Sequence, residues 1–257
     1  MYQILAYFKF LWRSKNEHSV HSPFVFNLVT KCFYDRKKHS FYSLFYSYRQ
    51  EILQNNETIQ VTDFGAGSRT FKSNIRKVSA IAKNAGISRK KGELLSRVTH
   101  YFKPNSILEI GTSLGLGTVA LHAGHPKSKI TTLEGCQNTA SIAKNMLEAF
   151  NIDNISIKIG EFSNTINHAK TTKLDLIYFD GNHSYDATVN YFEQLLDTAN
   201  NNTIFIFDDI HWSKEMDKAW AEIKKHPEVT ITIDTFYHGF VFFRKEHIEK
   251  EHFVIRI

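Results

Sequence analysis

Three acidic residues at the ends of two apolar runs carry a clear chemical signal. Asp180 follows the run 174–179 in the stretch FDGNHSY, and Asp208 and Asp209 follow the run 203–207 in IFDDIHW. Both runs have the length and apolar makeup of buried strands, and an open parallel sheet binds its ligands beyond the carboxyl ends of its strands. If the two strands are neighbours, three carboxylates meet at one rim, flanked by His183 and His211. Like charges so crowded repel unless a cation sits among them, and an all-oxygen set favours magnesium, calcium or manganese over zinc. The other reading of the same residues is a helix cap and a solvated carboxylate.

A second constellation lies upstream, in SILEIGTSLGLGT at residues 106–118. The apolar start reads as a strand, the three glycines Gly111, Gly115 and Gly117 as a turn, and the following residues as a helix. Such a turn lets a ligand approach the backbone, because glycine has no Cβ and a helix start offers unpaired N–H groups and a positive dipole end. The next strand, 129–133, ends at Glu134, 23 residues beyond Gly111. That is close to the roughly 20-residue spacing at which an acid reaches a ribose hydroxyl in a nucleotide-binding βαβ unit. A rival glycine turn, VTDFGAGSR at residues 61–69, is followed by helical spacing and basic residues rather than by a strand ending in an acid. Gly65 and Gly67 therefore read as a structural turn, or as a loop from which Arg69 reaches an active site.

The elements that must position these residues alternate regularly. From Gly92 onward helix 93–102 leads to strand 106–110, helix 113–124, strand 129–133, helix 138–150, strand 155–159 and a turn at Gly160. Strand 174–179, helix 185–199, strand 203–207 and helix 214–225 follow. Alternation of this kind implies right-handed crossovers and a parallel sheet covered on both faces. Segments 229–233 and 239–244 lie too close together for a crossover and pair antiparallel. The expected fold is α/β: a Rossmann-like doubly wound sheet, mostly parallel with a C-terminal antiparallel strand pair, plus an N-terminal helical extension. The division expected is 1–90 for the aromatic-rich extension or cap and 91–257 for the catalytic domain.

Within the extension, Ser22-Pro23 suits the N-cap and first turn of a helix over 24–33. Ile4, Leu5, Phe8, Leu11 and Trp12 share one helical face, which reads as docking onto the protein's own core rather than a membrane surface. The histidines His18, His21 and His39 show no metal-ligand spacing.

The chain of 257 residues holds two cysteines, Cys32 and Cys136, and carries a formal net charge of +6. A chain of this length needs no disulfide or metal staple, and so few cysteines suit a reducing, cytoplasmic setting. Its 32 lysines and arginines are scattered among 26 acidic residues, so nucleic acid is not the expected partner. No apolar run reaches the length of a membrane span, and the N-terminus lacks the pattern of a secretory signal. A homodimer is left open.

By LEIGTSLGLGT, Glu134, the IGEF turn, FDGNHSY and FDDIHW, residues 92–245 resemble the class I SAM-dependent methyltransferases of the catechol and caffeoyl-CoA O-methyltransferase type. The resemblance implies S-adenosyl-L-methionine (SAM) as cofactor and a small-molecule methyl acceptor. Carried over, Glu109, Gly111 and Ser113 hold the methionine part, Glu134 takes the ribose, and Gly160, Glu161 and Phe162 border the adenine. Asp180, Asp208 and Asp209 match the family's ligands for magnesium or manganese, with Asp209 where the family usually has Asn. A lysine three residues after the first metal acid commonly acts as base; that position is His183 here, which together with Asp180 becomes the catalytic pair. An imidazole with an ordinary pKa near 6.5 is competent to take a proton at neutral pH. The family's mechanism is direct displacement at the sulfonium methyl. None of the four prolines are adjacent, so the Pro-Pro motif of enzymes that methylate exocyclic amines of bases is missing. The readings from other classes are a nicotinamide-dependent oxidoreductase, which needs no rim carboxylates, and a non-catalytic SAM-binding protein.

Overall fold

The structure, a computed structural model, describes residues 2–62, 71–170, 173–246 and 249–257. In chain order it contains α1 (Tyr2–Arg13), α2 (Pro23–Leu28, continued by a π turn Val29–Phe33), α3 (Tyr42–Gln54), β1 (Thr58–Gln60), β2 (Ile75–Lys77), α4 (Val78–Asn84) and α5 (Arg89–Phe102). The alternating part follows: β3 (Ser106–Ile110), α6 (Leu116–Gly124), β4 (Lys129–Glu134), α7 (Gln137–Ala149), β5 (Ile155–Ile159), α8 (Phe162–Ala169), β6 (Leu176–Phe179), α9 (Tyr185–Leu195), β7 (Ile204–Asp208), α10 (Lys214–Lys225), β8 (Ile231–Asp234), β9 (His238–Phe242) and β10 (Glu251–Val254). The rival glycine turn, with Gly65, Gly67 and Arg69, lies outside the described residues.

Contacts divide the chain into two compact units, Arg36–Ala169 and a second formed by Met1–Asp35 with Lys170–Ile257. In Arg36–Ala169, β3, β4 and β5 form a parallel ladder with Ile107 opposite Ile130 and Leu133 opposite Lys158. Helix α5 starts at Ser88, whose hydroxyl accepts the Lys91 N–H, and stops at Lys103 in the left-handed region before Pro104. It lies so close to α6 that a Cβ on Gly124 would sit 1.9 Å from the Ser96 carbonyl oxygen.

In the other unit the strand order is β10-β8-β9-β7-β6. β6 and β7 run parallel, β9 is antiparallel to both β7 and β8, and β10 is parallel to β8. Every residue of β6, β7, β8 and β9 is buried, as expected of strands covered on both faces. The expected antiparallel pair is therefore present as β8 and β9. Three elements were not legible in the pattern: the short hairpin β1–β2, the helix α8 and the strand β10. All are brief, and β10 pairs with a strand twenty residues upstream, a contact that local periodicity does not reveal.

The expectation for α1 needs correction. Its buried residues are Ala6 and Phe10, packed with Phe236 and surrounded by Tyr2, Leu11 and Val254. Of the predicted docking face only Leu11 takes part, while Ile4, Leu5, Phe8 and Trp12 stay exposed. The helix carries apolar side chains on two sides, and the side that packs is the one where small Ala6 admits a close approach and the Tyr2 hydroxyl reaches Asp217. Among the described residues no helix is long and apolar enough to cross a membrane.

Candidate cofactor loop and acidic rim

The glycine loop is built on Glu109, which β3 places beside Thr132 of β4. Oε2 of Glu109 accepts the Thr132 hydroxyl at 2.6 Å and the Thr118 hydroxyl at 2.5 Å. Thr132 has one hydroxyl proton, so in its 2.6 Å contact with Thr112 the proton comes from Thr112. Glu109 is completely buried, and its Oε1 has no hydrogen-bond partner among the described residues. Burial pushes its carboxyl up to about 7; the two threonine hydroxyls oppose the shift and the charge of Glu134 adds to it. Thr112, Thr118 and Thr132 were missed by sequence reasoning, although a threonine aligned with a buried acid in an otherwise apolar strand is a readable signal.

The chain then turns at Gly111, whose φ of 105° is a conformation L side chains rarely adopt. The N–H groups of Gly111 and Thr112 both donate to the Leu133 carbonyl at 3.0 Å, which ties the loop to the end of β4. Ser113, with φ 48°, donates its N–H to Glu134 Oε2 at 2.7 Å. The other carboxylate oxygen of Glu134 accepts the Cys136 N–H at 2.9 Å. Gly115 is needed for packing, since a Cβ there would lie 2.5 Å from the Tyr48 hydroxyl, which itself donates to the Leu114 carbonyl at 2.8 Å. Gly160, with φ 146°, donates its N–H to the Glu134 carbonyl at 2.9 Å, and after exposed Glu161 the half-buried Phe162 opens α8. Glu109, Gly111, Ser113, Glu134 and Gly160 are thus drawn together at the carboxyl ends of β3, β4 and β5, with Glu161 and Phe162 following directly. A carboxylate at the end of β4 is an acceptor of the kind that ribose hydroxyls need. The buried, unsatisfied Glu109 Oε1 suits a cationic donor. These residues fit a nucleoside bearing an amino-acid tail.

The acidic rim belongs to the other unit. Phe179 and Phe207 are cross-strand neighbours with rings stacked 4.2 Å apart; Asp208, the last residue of β7, therefore points to the opposite face, and Asp180 directly follows β6. Asp208 is 3% exposed and its Oδ1 lies 3.2 Å from Nε2 of His238, which is 1% exposed and is its partner across β9. Asp180 Oδ1 stands 3.6 Å from His183 Nε2, both half-buried. Asp209 has φ 51°, a left-handed conformation that Asn and Asp tolerate better than other side-chain-bearing residues, and its carbonyl accepts the Trp212 N–H at 2.8 Å. Asp for Asn at this position therefore preserves the turn. Among the described residues no group of three or more His, Cys, Asp or Glu is placed to hold a metal ion. The three acids follow the paired strands β6 and β7, with His238 beside Asp208. His238 was missed; its signal was a lone histidine at the start of an apolar strand.

His211 does not join this rim. Its Nδ1 is bonded to Asp217 and its Nε2 to Asp234 at 2.9 Å, its ring stacks on Phe236, and the Tyr2 hydroxyl donates to Asp217. Burial opposes its charge, but the two carboxylates outweigh burial and raise its pKa to about 9. It is a structural imidazolium.

Residues 108–210 match the family model of a methyltransferase domain. The search of curated proteins gives no match. Among solved structures the chain is similar to the O-methyltransferase from Bacillus cereus in complex with S-adenosylhomocysteine (SAH), with a TM-score of 0.57 and 20% identity over 84% of this chain and 94% of that one. It is similar to the SAH-bound methyltransferase of Podospora anserina, with a TM-score of 0.61 and 16% identity over 88% and 97% of the two chains. A third likeness is to the O-methyltransferase TomG from Streptomyces achromogenes in complex with SAM, with a TM-score of 0.56 and 15% identity over 81% and 91%. The likeness shows the fold of the methyltransferase class, and the match to a methyltransferase domain is confined to residues 108–210. Within that class the structures it resembles include O-methyltransferases.

Proposed function

We propose that the chain is a SAM-dependent methyltransferase that methylates an oxygen of a small-molecule acceptor. The observation that carries this reading is the loop in which Ser113 N–H bonds Glu134 inside a segment matching a methyltransferase domain. In this reading Glu134 accepts the ribose hydroxyls, Glu109 Oε1 faces the ammonium of the methionine part, the backbone of Gly111 and Ser113 borders it, and Gly160, Glu161 and Phe162 border the adenine. When bound, SAM supplies an electrophilic methyl on its sulfonium. His183 Nε2 takes the proton from the acceptor hydroxyl, and the Asp180 carboxylate, 3.6 Å from that nitrogen, stabilises the imidazolium formed.

Calorimetric titration with SAM, SAH and NAD tests the cofactor: SAM and SAH bind and NAD does not. Binding of NAD alone would replace this reading with the oxidoreductase. The finer part of the reading, a magnesium or manganese ion on Asp180, Asp208 and Asp209, is supported by three acids that follow two paired parallel strands. It stands apart from the mechanism above and is tested by activity in EDTA.

A further inference from the structure

Helix α1 has two apolar sides and the chain uses one. Ala6 and Phe10 are buried with Phe236. At about 100° per residue, Ile4, Leu5, Phe8 and Trp12 fall on the opposite side, within an arc of roughly 100°. They are 62%, 57%, 64% and 89% exposed. Apolar residues exposed singly are ordinary, but four on one arc of one helix, two of them aromatic, form a patch that marks an interaction surface. Lys9 and Arg13, both exposed, lie beyond one edge of it, Lys15 follows the helix, and residues 2–16 contain no acidic side chain.

We propose that this face of α1 binds the surface of an anionic lipid bilayer. Ile4, Leu5, Phe8 and Trp12 enter the headgroup and upper acyl region, and Lys9, Arg13 and Lys15 meet the lipid phosphates. The charge pattern selects this occupant. Two copies of the face brought together would set Lys9, Arg13 and Lys15 against their counterparts, and Asp217, the acid near Lys9, is already bonded to Tyr2 and His211. A helix of 12 residues, about 18 Å long and 10 Å wide, also offers far less than the roughly 800 Å² per partner of a stable protein interface. At that length it lies on a bilayer, whose hydrocarbon core is about 30 Å thick, rather than spanning it. Trp12 has the ring type that settles at the headgroup level. The helix does not peel away to bind, because Lys15 N–H donates to the Val254 carbonyl at 2.8 Å and Tyr2 to Asp217.

The test is co-sedimentation of the full chain with vesicles of phosphatidylcholine, alone or mixed with phosphatidylglycerol. Binding to the mixed vesicles, weak binding to the neutral ones and release by salt are expected. Lys9→Gln with Arg13→Gln should lower partition about 25-fold, at about five-fold per basic charge near the surface. Phe8→Ser with Trp12→Ser should remove it, with circular dichroism unchanged because both positions are exposed. Brominated lipid should quench tryptophan fluorescence in the parent and much less in Trp12→Phe. No partition to anionic vesicles, or partition unaffected by the Phe8/Trp12 variant, overturns the proposal. So does a dimer in sedimentation velocity that this variant dissociates while vesicles bind neither form, which would assign the face to a second copy.

Discussion

The backbone N–H of Ser113 donates to Oε2 of Glu134 at 2.7 Å, so the acid at the end of β4 holds the loop that leaves β3. Glu134 thus joins loop positioning to its proposed ribose contact. Glu134→Ala should weaken SAH binding by about 1.5–3 kcal/mol, the usual range for charge-assisted hydrogen bonds. Glu134→Gln, which keeps an acceptor for Ser113, should lose less. Calorimetry on both variants checks this; unchanged affinity in Glu134→Ala removes the ribose role.

Gly111 sits at φ 105°, where any side chain is strained. Gly111→Val should cost about 1–3 kcal/mol of stability and abolish SAH binding, as read by thermal unfolding with and without ligand. Retained ligand stabilisation would move the cofactor away from this loop.

Glu109 gives a pH signature. Its folded pKa of about 7 lies above the ordinary 4.5, so the folded state holds its proton more tightly. Stability should therefore fall as pH rises from about 4.5 to 7 and then level off. Glu109→Gln should remove that slope and unfold at a higher temperature than the parent at pH 8, while losing the acceptor proposed for the ligand's ammonium. Equal pH slopes in the two proteins would show that Glu109 titrates normally.

His211 has the opposite chemistry and the same sign. Its folded pKa is raised to about 9, so its contribution is complete below about 6.5 and lost as pH climbs through 9. Denaturant midpoints from pH 6 to 10 should fall for the parent and be nearly flat over that window for His211→Asn, which should also be less stable at pH 6.

Asp208 tests the rim. Asp208→Asn should reduce turnover more than it weakens SAM affinity, because the residue stands beside His238 in a different unit from the cofactor loop. If the ion is part of the site, EDTA abolishes methyl transfer and magnesium or manganese restores it. Full activity in EDTA leaves His183 as a metal-free base.

Much of this was decided by short-range pattern. Strand β3, the turn at Gly111, strand β4 and Glu134 follow one another within thirty residues, and hydrophobic periodicity with glycine spacing located them. The rim acids were legible for the same reason: each directly follows a run of buried residues. What the sequence left open depends on partners distant along the chain. That Asp208 meets His238, thirty residues on, is set by the register of β7 against β9. That His211 turns from the rim to Asp217 and Asp234 depends on where α10 and β8 deliver those carboxylates. Which side of α1 is covered was likewise invisible to periodicity, since the helix is apolar on two sides. Tertiary packing chose the side where Ala6 leaves room and Phe236 waits, and left Phe8 and Trp12 facing outward.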